Sequence, residues 1–422
     1  MQRVLSMQTA RGFGDSTEFV TKRMCFSFLF SIGFLCFLCG FLVGRFADQR
    51  AADIRAEREQ KTVAGNGLES NEELLQGILQ ELEAKGFNES RDLTTTMRGG
   101  TLRSAQSMFL GLNFFSKLRL NNGCLTARIH GSSEEDRYVV LTTGGDQNIK
   151  IVLEIVEELH KWTAGNDWKP RRNLMFLLYE HSLNDCLQLF SDYEKSKIVA
   201  LLAIDKTPIT DNGYFVASGS DVVQTTVFGS FENYAESKAF TSTYLPRLKL
   251  NIPHSAIAFI SSTNDTNSRN PQEHQQKITR YQRNLAKIVT TSLWNLSQMN
   301  IFQWNPRIIE DTMNRVFSNL TAPDLRPYIQ QIKEKLTSIT EYGQILNDEI
   351  REIDGVKSLA VRMTNDLLKD VEKALMCPDD KFQSQTDVVL ITESQKNQEI
   401  EQILEKMLSC FDTVIQILKG MP

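Results

Sequence analysis

Between residues 123 and 262 short β-prone runs alternate with helix-length stretches, and this alternation constrains the fold more than any other feature of the chain. The runs are CLTARIH (124–130), RYVVLTT (137–143), NLMFLLY (173–179), IVALLAID (198–205), YFVAS (214–218) and SAIAFIS (255–261), with helical connections over 148–162, 183–197 and 220–238. Nearly unbroken Val, Ile, Leu and Phe in a strand means burial on both faces, which a mostly parallel sheet covered by crossover helices provides. The spacing predicts an α/β domain over 121–275. Two runs stop abruptly, at GGDQ (144–147) and at EHSLND (180–185). Strand ends of that kind are where α/β proteins gather site residues.

After about residue 276 the strand signal gives way to helices over 277–299, 307–320, 324–377 and 393–419, with one short β-prone exception at DVVLI (387–391). The last stretch places Ile400, Ile403, Leu404, Met407, Leu408, Phe411, Val414, Ile415 and Leu418 on one broad apolar stripe. Residues 276–422 are therefore expected to form a C-terminal helical bundle, with that stripe serving as internal core or as a subunit contact.

The N-terminal part is of another kind. Residues 24–44, MCFSFLFSIGFLCFLCGFLVG, carry no charge, and about 20 apolar residues suffice for a helix to cross the hydrocarbon layer. A single transmembrane helix is expected there, with 1–23 as a cytosolic tail; a cleaved signal peptide competes, but the run is long for one and lacks a small-x-small site at its end. Flanking charges hardly set the orientation, since Lys22 and Arg23 on one side face Arg45, Arg50 and Arg55 on the other. Glycosylation sequons at Asn88, Asn264, Asn295 and Asn319 all follow the span and favour an outer position for what comes after it. Cys25, beside Lys22 and Arg23, is a palmitoylation candidate.

Residues 45–120 read as a stalk with amphipathic helices: a charged linker over 47–72, a helix over 70–87 presenting Leu74, Leu75, Ile78, Leu79 and Leu82, and a second helical stretch over 101–119 with Met108, Phe109, Leu112, Phe115 and Leu118 as its stripe. The net charge of −5 argues against nucleic-acid binding, which needs clustered Lys and Arg. Outside the span the cysteines Cys124, Cys186, Cys377 and Cys410 are widely spaced, with no zinc-knuckle pattern and no sign of a dense disulfide scaffold.

RYVVLTTGGD followed by a helix, WKPRRNLMFLLYEH, AIDKTPITDNGYFVASGSDVVQTTV and NIPHSAIAFISSTNDT, taken in order and spacing, resemble the protease-like domain of the transferrin receptor and glutamate carboxypeptidase family. RMTNDLL (362–368) and EKMLSCFDTVIQILKG (405–420) are similar to pieces of that family's dimerisation domain, and FLCGFLVG and EELLQGILQELEAKGF to its anchor and first outer helix. The resemblance implies a zinc-aminopeptidase-like sheet, a dimerising bundle and a single-pass anchor. The family's apical, protease-associated domain has no counterpart, because SKLRL (116–120) passes straight into NNGCLTARIHG.

The family's peptidases hold two zinc ions through histidines and carboxylates and use a further glutamate as general base. The first ligand pattern, His-x-Asp, falls on Gly144, Gly145 and Asp146; the segment of the bridging aspartate is missing; the paired glutamates fall on Ser182 and Leu183; the next aspartate is Asp205; the last histidine falls near Ser261. Only Asp146 and Asp205 remain of the ligand set, and two carboxylates without imidazole partners make a poor metal site. On their own chemistry Asp146 would cap the helix that follows and Asp205 would accept turn backbone bonds. No cofactor is expected. Glu180 and His181 are adjacent in sequence, so in a strand they would face opposite ways. His130, His160, His254 and His274 are scattered, and a thiol site from Cys124 and His130 would lack a third group.

The expected function is that of a non-catalytic, single-pass type II receptor at the plasma membrane. It would form a homodimer through its bundle and bind a protein partner such as an iron carrier, with possible cycling through endosomes. Arg362, Thr364 and Asp366 are the partner-contact candidates. Two departures oppose carrier binding: EIDGVKSL stands where the receptor has an Arg-Gly-Asp element, and the tail contains no tyrosine for an uptake signal. An anchored scaffold or adhesion protein is the alternative, and an active zinc carboxypeptidase a third reading.

Overall fold

A computed structural model of the chain describes residues 68–84, 101–164, 168–234, 252–261, 271–318, 320, 322–353, 358–377 and 397–420, with positions 30, 34, 36–38 and 40. The run 24–44 lies largely outside these residues; Phe30, Phe34, Cys36, Phe37, Leu38 and Gly40 are helical and exposed. Among the described residues no helix is long and apolar enough to cross a membrane. Cys25, Asn88, Asn264, Asn319 and DVVLI also fall outside the described residues.

Residues 69–422 form one compact unit. Helices α1 (Leu68–Ala84) and α2 (Thr101–Leu112) lead into strands β1 (Lys117–Asn121), β2 (Cys124–Ile129) and β3 (Glu134–Gly144). Helix α3 (Asp146–Ala164) and strand β4 (Arg172–Tyr179) follow, then the short helices α4 (Leu183–Gln188) and α5 (Asp192–Ser196) and strand β5 (Ile198–Ile204). Strand β6 (Gly213–Gly219), helix α6 (Asp221–Tyr234) and strand β7 (His254–Ser261) complete the α/β part. The bundle comprises α7 (Pro271–Gln298), α8 (Arg307–Ser318), α9 (Arg326–Glu352), α10 (Ser358–Leu375) and α11 (Asn397–Lys419).

Among the described residues the strands make one seven-stranded sheet in the order β1-β2-β4-β3-β5-β7-β6. The central strands β4, β3, β5 and β7 pair in parallel, whereas β2 runs antiparallel to both β1 and β4, and β6 antiparallel to β7. Period-2 alternation divides the side chains between two faces. Leu174, Phe176 and Leu178 of β4 join the large core beneath α3 and α7, while Leu177 joins a smaller core with Val140, Leu201, Ala203 and Leu183 of α4.

Two expectations change. The stripe read as one helix over 101–119 ends at Leu112, because Asn113 takes a left-handed backbone (φ 51°) that stops the helix. Leu118 then belongs to β1, where Leu118 and Leu120 are half-buried and Lys117, Arg119 and Asn121 are exposed. Asn122 and Gly123, both left-handed, close the β1–β2 hairpin in two residues, the conformation Asn-Gly favours. The helices grouped with the stalk also pack into the main core: Ile78, Leu82, Leu102 and Phe109 are buried in the same cluster as Phe176 and Val289.

The cysteines pair. Cys124 at the start of β2 is bonded to Cys186 in α4, and Cys377 beyond α10 to Cys410 in α11. Cys124 is therefore no thiol nucleophile, and the wide spacing conceals two crosslinks within the fold.

The sheet is joined to the bundle by a buried ionic node. Arg172, fully buried, pairs with Glu134 (3.0 Å), donates to the carbonyls of Leu296, Met299 and Asn300 at the end of α7, and stacks its guanidinium 4.4 Å from the Phe302 ring. Burial lowers Arg172 to about 10, with Glu134 opposing the shift. Burial alone would push Glu134 up, but Arg172, Arg171 and Arg137 together hold it below the ordinary carboxylate range.

Candidate functional site

The carboxyl ends of β3, β4, β5 and β7 lie side by side, as the sequence reading required. Register places Gly144 opposite Tyr179 on one side, and Thr143 opposite Ile204 on the other, so Gly144 lies between Tyr179 and the residue after Ile204, Asp205. All three occupy positions on the face that carries the smaller core. Tyr179 turns its ring over Gly144: a Cβ at position 144 would come within 2.5 Å of the ring. Only glycine permits so close an approach, and the position onto which the sequence resemblance maps a zinc-binding histidine is covered by a phenol ring. Burial raises the Tyr179 phenol above its ordinary value, and the Asp205 carboxylate adds to the shift.

The other positions onto which the resemblance maps zinc ligands and the general base have structural roles. The Ser182 hydroxyl caps α4 by accepting the amide N–H of Asn184 (3.2 Å). Leu183, only 4% exposed, packs in the smaller core beside Cys186. Asp205 accepts the Lys206 amide (2.8 Å) and the Thr207 hydroxyl (2.9 Å), the turn role expected of it. The hydroxyls of Ser261 and Thr210 lie 3.0 Å apart.

Asp146 departs from the capping role. The Gly145 carbonyl accepts the first helical N–H of α3, from Ile149 (3.0 Å). Asp146 lies one residue further in, exposed in the first turn, and its carboxylate accepts the Thr101 hydroxyl of α2 (2.5 Å). A carboxylate there still benefits from the positive end of the helix dipole. Gln147 and Asn148 replace the missing bridging segment: Gln147 accepts the Ile209 amide (3.0 Å), and Asn148 donates to the Asp205 carbonyl (2.5 Å).

The histidines remain apart. His181 and Glu180 are exposed after β4; His130 lies 3.5 Å from Arg128, His160 against the Phe114 ring, and His274 3.0 Å from Asp211. His254 is buried in β7 with Nδ1 2.8 Å from the Ile252 carbonyl, and burial depresses its pKa. Among the described residues no group of three or more His, Cys, Asp and Glu could hold a metal ion.

The partner-contact candidates lie on α10 against the start of β3. Arg362 pairs with Asp136, and Asp366 with Arg137 (2.6 Å). Burial would raise Asp136, but Arg362 and Lys197 overcome it and hold the carboxyl below its ordinary range. Thr364 is buried and donates its hydroxyl to the Ala360 carbonyl (2.9 Å). Of the sequons, Asn295 lies half-buried within α7 and its Ser297 is fully buried, bonded to the Trp294 carbonyl.

No family model matches the chain, and no curated protein matches it. Its fold is similar to solved structures at low identity. An aminopeptidase from Aneurinibacillus sp. strain AM-1 is 14% identical with a TM-score of 0.32, over 42% of this chain and 48% of the other. BSAP, a zinc aminopeptidase from Bacillus subtilis, is 11% identical with a TM-score of 0.32, over 42% and 50%. An Acidobacteriales bacterium glutaminyl cyclase is 11% identical with a TM-score of 0.34, over 46% and 85%. The chain spans about half the length of the two aminopeptidases.

Proposed function

We propose that the chain is a membrane-anchored, non-catalytic receptor in which a peptidase-like sheet serves as a platform for binding a protein. The observation that carries this reading is the Tyr179 ring over Gly144 beside Asp205. A zinc pocket needs several deprotonated ligands converging at about 2 Å on each metal. Here the space holds an aromatic ring, and the positions of the general base and its neighbour are a helix cap and a core leucine.

The disulfides support placing the unit 69–422 on the outer side of the membrane, since such bonds persist in oxidising compartments. The run 24–44 is the anchor in this reading, with 1–23 on the cytosolic side, Cys25 as its palmitoylation site, and Asn88, Asn264 and Asn319 as glycan acceptors. The protein sits in the plasma membrane, with endosomal cycling as the uptake route, and pairs as a homodimer through the bundle. Arg362 and Asp366, flanked by Leu359 and Met363 at 69% and 59% exposure, form the partner-contact face of α10. Thr364 supports them from inside.

A second reading, an anchored scaffold or adhesion protein that binds no iron carrier, is favoured by one observation: Arg362 and Asp366 are already ion-paired to Asp136 and Arg137. Cells displaying the full chain, incubated with labelled transferrin-like carriers, separate the two. Saturable binding that Met363→Asp weakens at least tenfold supports the receptor; absence of saturable binding leaves the scaffold.

A further inference from the structure

A second pair of acids, remote from the carboxyl ends of the strands, is buried where the bundle meets the sheet. Glu372 of α10 reaches the N-terminus of α6, where its Oε1 accepts the amides of both Val222 and Val223 (3.1 Å each). Asp221, the first residue of α6, accepts the Trp304 indole N–H (2.6 Å) from the segment joining α7 to α8. Both carboxyls are nearly inaccessible, at 2% and 5% exposure, and among the described residues no salt bridge involves either. Ser220 faces Glu372, and its hydroxyl is fixed by the backbone of His254 in β7 through bonds of 2.7 and 3.0 Å.

We propose that Asp221 and Glu372 form a carboxyl latch that fastens bundle helix α10 to the α/β sheet when protonated and loosens it when both ionise. Two negative charges in one dry site repel, and neither has a cation to neutralise it. Two helical amides, one indole N–H and a Ser220 hydroxyl shared with the His254 carbonyl are too few donors to replace the water that two carboxylates would lose. Of the charged groups on the elements packed around them, Lys369 donates to the Ser196 carbonyl, Glu310 accepts the Thr340 hydroxyl, and His254 is turned to Ile252.

The electrostatics agree. Burial raises Asp221 to about 7 against the Trp304 hydrogen bond, and burial with the neighbouring Asp221 raises Glu372 to about 7 against Ser220 and the two amides. These folded values exceed the ordinary 3.8 and 4.5, so the latch contributes fully below about pH 4, is lost as pH rises toward 7, and is absent above it. The helix it releases is the one that carries Arg362, Met363 and Asp366.

Hydrogen exchange of the full chain in detergent, corrected for intrinsic rates, tests this at pH 5 and pH 8. Peptides covering 221–228 and 366–375 should lose protection by roughly tenfold or more at pH 8, while peptides from β3 and β5 keep theirs. Glu372→Gln should reduce the difference, and Glu372→Gln with Asp221→Asn should abolish it. Equal protection at the two pH values in the unaltered protein overturns the latch, whether or not the variants fold. So does a variant that folds and retains the full pH-dependent loss.

Discussion

Tyr179 illustrates how one side chain determines what a strand end can do. Its ring occupies the space a metal ligand at position 144 would need, and its phenol lies in the field of Asp205. Gly144→His would drive an imidazole into that ring, and over-packing of this kind costs about 1–3 kcal/mol. A lowered melting temperature without acquired zinc affinity is the expected result, read by calorimetry. Tyr179→Ala removes the ring and should cost about 3 kcal/mol, still without a metal site, because Ser182 and Leu183 supply no ligand. That positions 144, 182 and 183 carry no zinc ligand was legible in the sequence, since residue type alone disqualifies them. The part played by Tyr179 was not: a tyrosine at the end of an apolar run reads as core. Only the register of β3 with β4 and β5 puts Tyr179, Gly144 and Asp205 in one row.

At the scale of elements, the crosslinks and the ionic node hold together pieces distant in sequence. Cys124 and Cys186 are separated by 62 residues, and closing a loop of that length in the unfolded chain is worth at most about 4 kcal/mol. Cys124→Ser should therefore lower stability by about 2–4 kcal/mol in denaturant unfolding, with the first losses of protection in α4. Arg172→Met leaves Glu134 buried with weaker partners, and breaking such a pair typically costs about 3–5 kcal/mol. The pH dependence of that node is opposite to the latch. Glu134 is held below its ordinary 4.5, so its contribution is present above that value and lost as pH falls through the lowered one. Acid unfolding should thus begin at higher pH in Arg172→Met than in the unaltered protein. Most helices and the central strands followed from periodicity, but β1 did not: Leu118 continued the helical stripe of α2, and five residues of alternation are too few to contest it. The disulfides were hidden for a related reason, since separations of 62 and 33 residues leave no local trace.

Across the whole molecule, α7 belongs to both halves. It begins the bundle, yet Leu285, Ile288, Val289 and Leu296 lie in the core that covers Val139, Leu174 and Phe176, so the sequence boundary at 275 and 276 cuts through shared packing. A chain ending at 275 should fail to fold, whereas the intact 69–422 unit should melt in one calorimetric transition. The boundary looked real in sequence because the strand signal stops there, while the burial that joins the halves is a property of the packed molecule. The proposed function requires that the carboxyl ends of these strands hold no zinc, and zinc titration of the full, metal-stripped chain tests it most directly. The account predicts no stoichiometric uptake by calorimetry and no dipeptide hydrolysis after zinc is added. Two tightly bound zinc ions per chain, lost on Asp205→Asn and accompanied by hydrolysis, would contradict it.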